Sequence, residues 1–391
     1  MRQPKNRSAR LLGSGFAGSL ARARLRRSAN TGRALNPQPS PQGATVGAAE
    51  TTSADASQFA IGFDHRDRRR LFELWSEVLD SEQWSEGAKL DAFEQRWAEW
   101  NGLPSLGLSS WAGGALAALE YAGVRGGTVL CPSNTFMATP LAAIGAGAEV
   151  EFVDCNRADL CMSFEDFERK AERHRPRAAI LVHIGGHIAF DSERIAAYCR
   201  DHGIFLLEDC AHAHGADWNG RRPGGYGDAG VYSLYATKTI SSGEGGVLVS
   251  GDEGLIEFAR KFRNYGKFDH DVDGLNFRMS EFTAALALVQ VERMGEIVAW
   301  KNAYAREHLD PVHPARLELP EGMTSGLYKY VVFEELQKST GKVYGDPCHR
   351  IMGRPDDLPN TDWVAQSHWC APLYYRPESR AAALGEKEVF G

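Results

Sequence analysis

The spacing of hydrophobic residues along the chain changes several times, and it predicts where helices and strands lie. Between Leu71 and Trp100 the apolar positions recur every three or four residues, which is the period of an amphipathic helix. Beyond residue 128, short apolar runs alternate with amphipathic stretches. From that alternation we predict strands over 129–132, 150–154, 178–183 and 204–209, and helices over 137–146, 163–174 and 192–202.

Two of these apolar runs, AAILVHI and IFLLED, carry few polar residues, as in strands that are covered on both faces. Their alternation with helices predicts an α/β fold, with a mostly parallel central sheet flanked by helices. Ligands of such sheets bind beyond the carboxyl ends of the strands. Polar residues that follow the strands are therefore the first candidates for a functional site.

The pattern lengthens after residue 250. A helix is predicted over 252–266, and a much longer one over 280–309, where apolar residues recur on one face. Residues 328–333 have the composition of a strand. The segment 347–375 contains many aromatic residues without a regular period, so we predict that it is rich in loops.

Composition divides the chain into three parts. Residues 1–58 are rich in Arg, Ser, Ala and Gly, and the first acidic residue is Glu50, so we expect a disordered extension. It resembles an organelle transit peptide or a basic nucleic-acid-binding arm, an upstream start codon explains it equally well, and it lacks the apolar segment of a secretory signal. We predict a large domain over 59–295 and a smaller C-terminal α+β domain over 296–391.

Composition and charge narrow the class of protein. A chain of 391 residues with 43% hydrophobic content can bury a substantial core. The net charge of −7 argues against bulk nucleic-acid binding, and no apolar run approaches the length of a membrane span. The seven cysteines are scattered without a CxxC motif, which is typical of reduced thiols. We therefore expect a soluble, cytoplasmic protein.

The segment from Leu206 to Ser250 carries the candidate chemistry. The strand IFLLED ends in Asp209, and the run VYSLY leads to Lys238, which lies between two threonines. A lysine among apolar and small residues loses proton affinity and becomes a usable amine nucleophile. With the carboxylate, it suits pyridoxal 5′-phosphate (PLP), which needs a lysine, a partner for its pyridinium nitrogen and donors for its phosphate. A solvated lysine and a helix-capping aspartate are the alternatives.

Further residues could complete a PLP site. His212 could donate to the phenolic oxygen of the cofactor, and the hydroxyl of Ser233 could reach its phosphate. Phe136 could stack on the ring, and the turn with Trp111 and Ala112 opens a helix whose N–H groups could bind an anion. Core packing and ordinary helix capping remain open as explanations for the last three.

Three other polar residues are ambiguous. Asn276 and Arg278 lie in the loop before the long helix, where either could bind a ligand or satisfy local backbone groups. His214 is expected to be structural.

Metal and nucleotide binding receive less support. Ligand-type residues occur as Cys348-His349 and as His368-Trp369-Cys370, but not at the spacing of a zinc module. The motifs GxGxxG and GxxxxGK[ST] are both absent from the sequence. We therefore expect no metal site and no dinucleotide or P-loop nucleotide site.

Between about residues 74 and 297 the chain resembles the DegT/DnrJ/StrS family of sugar aminotransferases, which are fold-type I PLP enzymes. Four ordered stretches carry the resemblance: CPSNTFMATPLAAIGAGAEVEFVD, LLEDCAHAHGA, YSLYATKTISSGEGGVLVS and GLNFRMSEFTAALALVQVERM. The resemblance implies the fold of a fold-type I PLP-dependent transferase, with the smaller C-terminal domain predicted above.

The resemblance also implies roles. Lys238 looks like the Schiff-base lysine, and Asp209 looks like the partner of the pyridinium nitrogen. His212 occupies a position close to the cofactor hydroxyl, where relatives have Gln or His. Phe136 is similar to the aromatic residue that stacks on the ring, and Ser233 to a phosphate ligand.

Asn276 is similar to an asparagine that reaches the phosphate of the neighbouring subunit's cofactor, which implies a homodimer with shared active sites. Three features depart from the family pattern. Trp111-Ala112 stands where relatives have Gly-Thr or Ala-Thr, and Gly185 replaces an aromatic residue. The segment 334–344 is short where relatives carry a further helix.

The expected function is amino transfer from glutamate or glutamine to a keto sugar, expected to be nucleotide-linked, in the biosynthesis of amino sugars, polysaccharides or antibiotic sugars. Lys238 would act as the acid and base of both half-reactions. A PLP-dependent sugar dehydratase is disfavoured, because relatives of that type have His in place of the lysine. A PLP-binding regulatory protein without turnover is the alternative from another class.

Overall fold

The computed structural model describes residues 62–375. The helices in this part of the chain are α1 His65–Ser81, α2 Ala88–Asn101, α3 Trp111–Tyr121, α4 Ala138–Gly145, α5 Phe164–His174, α6 Ser192–His202, α7 Glu253–Phe262, α8 Glu281–Tyr304, α9 Cys348–Ile351 and α10 Pro359–Ser367. The strands are β1 Ser105–Leu108, β2 Thr128–Pro132, β3 Glu149–Val153, β4 Ala178–Val182, β5 Phe205–Asp209, β6 Asp217–Trp218, β7 Ala229–Ser233, β8 Gly246–Val249, β9 Met323–Thr324, β10 Tyr330–Val332 and β11 Trp369–Ala371.

Seven of the strands form one sheet in the order β1-β8-β7-β5-β4-β2-β3. Strand β8 is antiparallel to both of its neighbours, whereas the pairs β7–β5, β5–β4, β4–β2 and β2–β3 are parallel. The other six strands therefore end at the same edge of the sheet. The predicted α/β fold with a mostly parallel sheet flanked by helices is confirmed.

Two of the helices between the strands, α3 and α7, begin at polar residues whose side chains bind their first N–H groups. The side chain of Ser110 accepts from Gly113 at the start of α3, and that of Asp252 accepts from the first turn of α7. Ser163 is the N-cap residue of α5, but its side chain makes no capping bond there. Helix α8 is capped by Ser280.

Element bounds match the predictions closely where hydrophobic periods are long. The segment 347–375 differs, because it contains α9, α10 and β11 between its loops. Helix α10 begins with a proline, and its start is held by Asp154, whose carboxylate accepts from the main chain and side chain of Thr361 at 2.7 Å. The order in this segment thus comes from distant contacts, which a local pattern does not show.

Most of the buried apolar residues form one core that covers both faces of the large sheet. A small second cluster joins the end of α8 to β10 and β11. All seven cysteines are buried and free. Within residues 62–375 the helices are too short or too polar to span a membrane.

Two predictions about domains are not decided by these observations. The expected disorder of residues 1–58 lies outside the described residues. The boundary placed between residues 295 and 296 stays a prediction.

Candidate active site

The carboxyl edge of the sheet collects the residues that the sequence singled out. Asp209 is the last residue of β5, and Ser233 is the last residue of β7. Lys238 follows on the connection to β8, and α3 begins with Trp111 shortly after β1 ends at this edge. Because these strands run in the same direction, the fold brings all four positions to one edge of the sheet.

Asp209 presents a buried carboxylate at this edge. Its Oδ2 accepts from the hydroxyl of Thr139 at 2.9 Å, and its Oδ1 accepts from the N–H of Ala211 at 3.1 Å. Burial raises the pKa of the carboxyl, and these two hydrogen bonds and Lys238 oppose the rise. Residues 210–216 form turns rather than a helix, so the alternative of a helix N-cap is wrong.

Lys238 is partly buried at the same edge. Burial lowers the pKa of its ammonium to about 8, Asp209 opposes this, and Lys329 lowers it further. Its Nζ lies over the ring of Tyr328, 4.8 Å from the ring centre. A lysine with such a pKa is partly neutral near pH 8 and can act as a base. The alternative of an ordinary solvated lysine does not fit this environment.

His212 has both ring nitrogens in contact with protein groups. Its Nδ1 accepts from the N–H of Gly185 at 3.4 Å, and its Nε2 lies 3.4 Å from the hydroxyl of Tyr344. The imidazole stacks on Tyr328, with ring centres 4.2 Å apart. Burial and Lys238 lower the pKa of His212 well below its usual value, so the ring is neutral and can donate from Nε2.

Tyr328 and Tyr344 are the functional candidates that the sequence did not indicate. Tyr328 lies just before the short strand β10, and its hydroxyl is 3.2 Å from that of Thr237. Tyr344 lies in the loop between β10 and α9. Each is more than a hundred residues from His212 in sequence, so no local spacing could have paired them with it.

The phosphate position predicted beside Ser233 has a matching shape. In the β7–β8 ladder Ser233 pairs with Gly246, and a Cβ at Gly246 would lie 2.5 Å from the carbonyl of Ser110 and 2.7 Å from the nitrogen of Trp111. The absent side chain therefore lets the start of α3 approach β8. Ser110 bonds the N–H of Gly113, while the first N–H groups of a helix have no partners within it and suit an anion.

The remaining predicted residues differ in exposure and in their hydrogen-bond partners. The indole of Trp111 is buried and its Nε1 has no hydrogen-bond partner, whereas Ala112 is exposed. The side chain of Phe136 is 65% exposed. Asn276 is exposed and accepts from the N–H of Arg278 at 3.3 Å, a local backbone contact. The cofactor roles of Phe136 and Asn276 stay predictions.

Glu208, the residue before Asp209, also has a buried carboxylate, and protein groups donate hydrogen bonds to both of its oxygens. The carboxylate of Glu208 accepts from His183 at 2.8 Å and from three N–H groups of the following Gly-rich turn, those of Gly224, Tyr226 and Gly227. Together with Cys210 these acidic and imidazole groups are close enough to hold a metal, as are Asp159, Cys161 and His187. The glutamate is already committed to the turn, and His214 packs against aromatic rings nearby.

The chain belongs to the DegT/DnrJ/EryC1/StrS aminotransferase family, whose sequence profile matches residues 66–326. Members of this family are PLP-dependent aminotransferases. The chain is 33% identical over 230 residues to a GDP-perosamine synthase of Vibrio cholerae and 34% identical over 244 residues to one of Escherichia coli O157:H7. These matches cover 56% and 60% of this chain, and 62% and 66% of the relatives, so they span less than two thirds of the relatives' length.

A longer match is found with a dTDP-3-amino-3,4,6-trideoxy-alpha-D-glucose transaminase of Micromonospora megalomicea. It is 31% identical over 341 residues and covers 79% of this chain and 91% of the relative. Among solved structures, DesV of S. venezuelae superposes with a TM-score of 0.74 at 27% identity, over 83% of this chain and 95% of that one. TlmJ of Streptoalloteichus hindustanus gives 0.74 at 26% identity, over 85% and 95%.

Proposed function

We propose that this protein is a PLP-dependent aminotransferase that acts on a keto sugar. The observation that carries the proposal is the pairing of Lys238, whose pKa is lowered to about 8, with the buried carboxylate of Asp209 at the carboxyl edge of the sheet. The charge of Asp209 acts to raise the pKa of Lys238, and the charge of Lys238 acts to lower the pKa of Asp209. Family membership and the transaminases among its relatives support the same reaction.

The residues present fit the cofactor. The lysine and the carboxylate supply the two groups that PLP requires, and the cradle that a Cβ at Gly246 would fill offers Ser233 and the first N–H groups of α3 to a phosphate. The residues that would hold the cofactor are Lys238, Asp209, His212, Ser233, Trp111, Ala112, Phe136 and Asn276. When bound, PLP supplies an electron sink for the substrate carbon that loses and regains a proton.

The chain's own residues would then handle protons and charge. Lys238 takes a proton from the α-carbon of the donor as a neutral amine, and it returns one in the second half-reaction. The buried carboxylate of Asp209 would pair with the protonated ring nitrogen of the cofactor and keep the proton there. Neutral His212 donates from Nε2 to a phenolate oxygen. Tyr328 covers the lysine and keeps bulk water from it.

The substrate class is proposed from the relatives. Their names specify GDP-linked and dTDP-linked amino sugars and an aminated scyllo-inosose. We infer a keto sugar acceptor, nucleotide-linked as in those relatives, with glutamate or glutamine as the amino donor. The proposed setting is the biosynthesis of amino sugars, polysaccharides or antibiotic sugars in the cytoplasm.

We also propose a homodimer in which each subunit completes the other's site. Several large apolar side chains are exposed on α4 and on the loop before α8; they are Phe136, Leu141, Ile144, Tyr265, Phe268 and Leu275. A second copy that covers them would remove this surface from water. The same loop carries Asn276, the residue that the family resemblance assigns to the partner's cofactor.

Mixing two inactive variants tests the shared site. Lys238→Ala and Asn276→Ala are each expected to lose activity. Random exchange of subunits should place half of the protein in hybrid dimers with one intact site of two, so about a quarter of wild-type activity should return. If no activity returns although hybrid dimers form, the sites are not shared.

The amino-transfer proposal is tested by mixing the PLP-loaded protein with glutamate and following its absorbance. Conversion of the cofactor to its amine form, with release of 2-oxoglutarate, is expected for the wild type and not for Lys238→Ala. A regulatory PLP-binding protein would leave both spectra unchanged. Turnover by Lys238→Ala would contradict the assignment of the lysine.

A further inference from the structure

The loop 325–329 places Tyr328 against the two central residues of the candidate site. The ring of Tyr328 stacks on the imidazole of His212 at 4.2 Å, and the Nζ of Lys238 lies 4.8 Å from the centre of the same ring. This one side chain therefore covers part of the surface of both residues. The contacts that hold the loop 325–329 in place are therefore relevant to the reaction proposed at Lys238.

One side of the loop is bound to the turn after β4. The N–H of Gly326 donates to the carbonyl of Gly186 at 2.7 Å, and the N–H of Lys329 donates to the carbonyl of Gly185 at 2.8 Å. Leu327, between them, has a φ of +45°, which non-glycine residues rarely adopt. A strained residue persists only where its surroundings fix it.

Helix α8 holds the other side of the loop through two carbonyl groups. Lys301 donates from Nζ to the carbonyl of the strained Leu327 at 3.0 Å, and Asn302 donates from Nδ2 to the carbonyl of Ser325 at 2.9 Å. These adjacent residues reach the two carbonyls on either side of Gly326. The loop is thus clamped between α8 and the turn after β4.

The clamp uses a group that is costly to bury. Lys301 is only 6% exposed, and burial lowers the pKa of its ammonium to about 8, with Lys329 as the other contributor. Within residues 62–375 no carboxylate forms an ion pair with Lys301, whose ammonium donates to the carbonyl of Leu327. A buried ammonium without a countercharge destabilises a fold, and an apolar side chain of similar length would avoid that cost.

We propose that Lys301 is a positioning residue of the active site, which binds the carbonyl of Leu327 and thereby holds the ring of Tyr328 against Lys238 and His212. The proposal rests on the proposed function for its consequence in catalysis. Its physical part, the shielding of Lys238 by Tyr328, can be measured in the protein without the cofactor.

The direction of the effect follows from the causes that act on Lys238. Burial is the largest of them and lowers the pKa, whereas a cation over an aromatic ring is stabilised in its charged form. Displacing Tyr328 removes both contributions, and the loss of burial outweighs the loss of the ring. The pKa of Lys238 should therefore rise. Of the other charged groups that act on Lys238, Asp209 lies outside the loop and remains in place. Lys329 belongs to the loop and lowers the pKa of Lys238, so its withdrawal with the loop would change that pKa in the same upward direction.

The test compares Lys301→Met with Lys170→Met. Lys170 is the control because its ammonium also donates to a main-chain carbonyl, that of Phe152, away from the loop, although it has Asp166 beside it. In the cofactor-free proteins, the pH dependence of amine labelling is measured at Lys238 by peptide mass spectrometry. Lys301→Met should raise the pKa of Lys238 by about one unit with no loss of thermal stability. Lys170→Met should not change that pKa.

Two further measurements separate positioning from general damage. Tyr328→Leu should raise the pKa of Lys238 by a similar amount, and adding Lys301→Met to it should produce no further rise, because both act through one ring. If Lys301→Met does not fold, Asn302→Ala replaces it, since it removes the second carbonyl contact. In the loaded enzyme, Lys301→Met should lower kcat about tenfold with little change in the KM for the donor.

The outcomes distinguish this proposal from the proposed function. An unchanged pKa of Lys238 in Lys301→Met, or an additive effect of the two substitutions, overturns the positioning role even if the enzyme transaminates. A raised pKa in a protein that transfers no amino group supports the positioning role and overturns the proposed function.

Discussion

Two adjacent carboxylates, Glu208 and Asp209, end the same strand and belong to differently built regions. Because side chains alternate along a strand, they point to opposite faces of the sheet. Glu208 accepts four hydrogen bonds, from His183 and from the turn that follows. Asp209 accepts two from the protein, and burial raises its pKa. A carboxylate saturated by protein donors fixes the chain, whereas one with capacity left can serve a ligand.

The largest expected effect comes from Asp209→Asn. The amide has the shape of the carboxylate but no charge for the ring nitrogen, so kcat should fall by about 10³. The free energy of unfolding should change by less than about 1 kcal/mol, because the cost of burying a charge is removed as well. Single-turnover amino transfer and urea unfolding measure the two quantities. A wild-type kcat in Asp209→Asn would contradict the proposed role of Asp209 in catalysis.

Glu208→Gln is expected to have the opposite pattern. Its amide nitrogen would face N–H groups that now donate to an oxygen, so the free energy of unfolding should fall by about 3 kcal/mol. The kcat of the molecules that fold should stay close to that of the wild type. Urea unfolding and activity per folded molecule test this. Lost activity at full stability would show that Glu208 is part of the chemistry.

The effect of pH on stability should sharpen the contrast. In the cofactor-free protein, burial lowers the pKa of Lys238 from its ordinary value of 10.5 to about 8. Between these values the unfolded chain binds more protons, so the free energy of unfolding rises with pH, and below pH 8 the full cost is present. Lys238→Met should therefore be more stable than the wild type near pH 7 by about 3 kcal/mol.

That advantage of Lys238→Met should disappear as the pH approaches 10.5, and urea unfolding at several pH values measures it. Lys170→Met serves as the control, since its ammonium has a carboxylate beside it. If the free energy of unfolding depends on pH equally in the wild type and in Lys238→Met, the lysine is not desolvated. Its burial would then not reduce the stability of the fold.

The smallest effect is expected from Ser233→Ala, matched with Ser250→Ala. The two serines end neighbouring antiparallel strands and so lie at opposite edges of the sheet. Loss of one hydroxyl from the phosphate site should raise the Kd for PLP about tenfold. Ser250 bonds the carbonyl of Asp228 and the N–H of Asp252, so its loss should reduce stability only. PLP titration and thermal unfolding separate the two, and equal Kd values would remove the phosphate role from Ser233.

The sequence was sufficient to predict the elements whose signals are local. Strand β5, helix α6 and the polar residues at the strand ends follow from hydrophobic periods and from the rule on parallel sheets. The positions of Asp209 and Lys238 at the carboxyl edge of the sheet could therefore be predicted, whereas their roles stay predictions. The helix predicted over 252–266 ends earlier, at Phe262, because the following residues turn to pair with the loop before α8.

Residues that depend on the path of the chain could not be predicted. Tyr328 and Tyr344 reach His212 from the C-terminal part, and Lys301 reaches the loop from inside a long helix. None lies in a motif, and a lysine on an amphipathic helix ordinarily faces water. Only the packing of these distant segments shows their roles.

The single reversed strand, β8, has a consequence for how Lys238 is tethered. The chain leaves the sheet at Ser233 and must come back to the same edge at Gly246, the residue paired with it. Main-chain hydrogen bonds from Leu234 to Gly245 and from Ser242 to Leu234 hold the two ends of this loop together as well. Lys238 thus lies in a loop whose two ends are held together by the β7–β8 ladder. The entropy of ordering it is lost on folding, so a ligand that arrives later does not have to supply it.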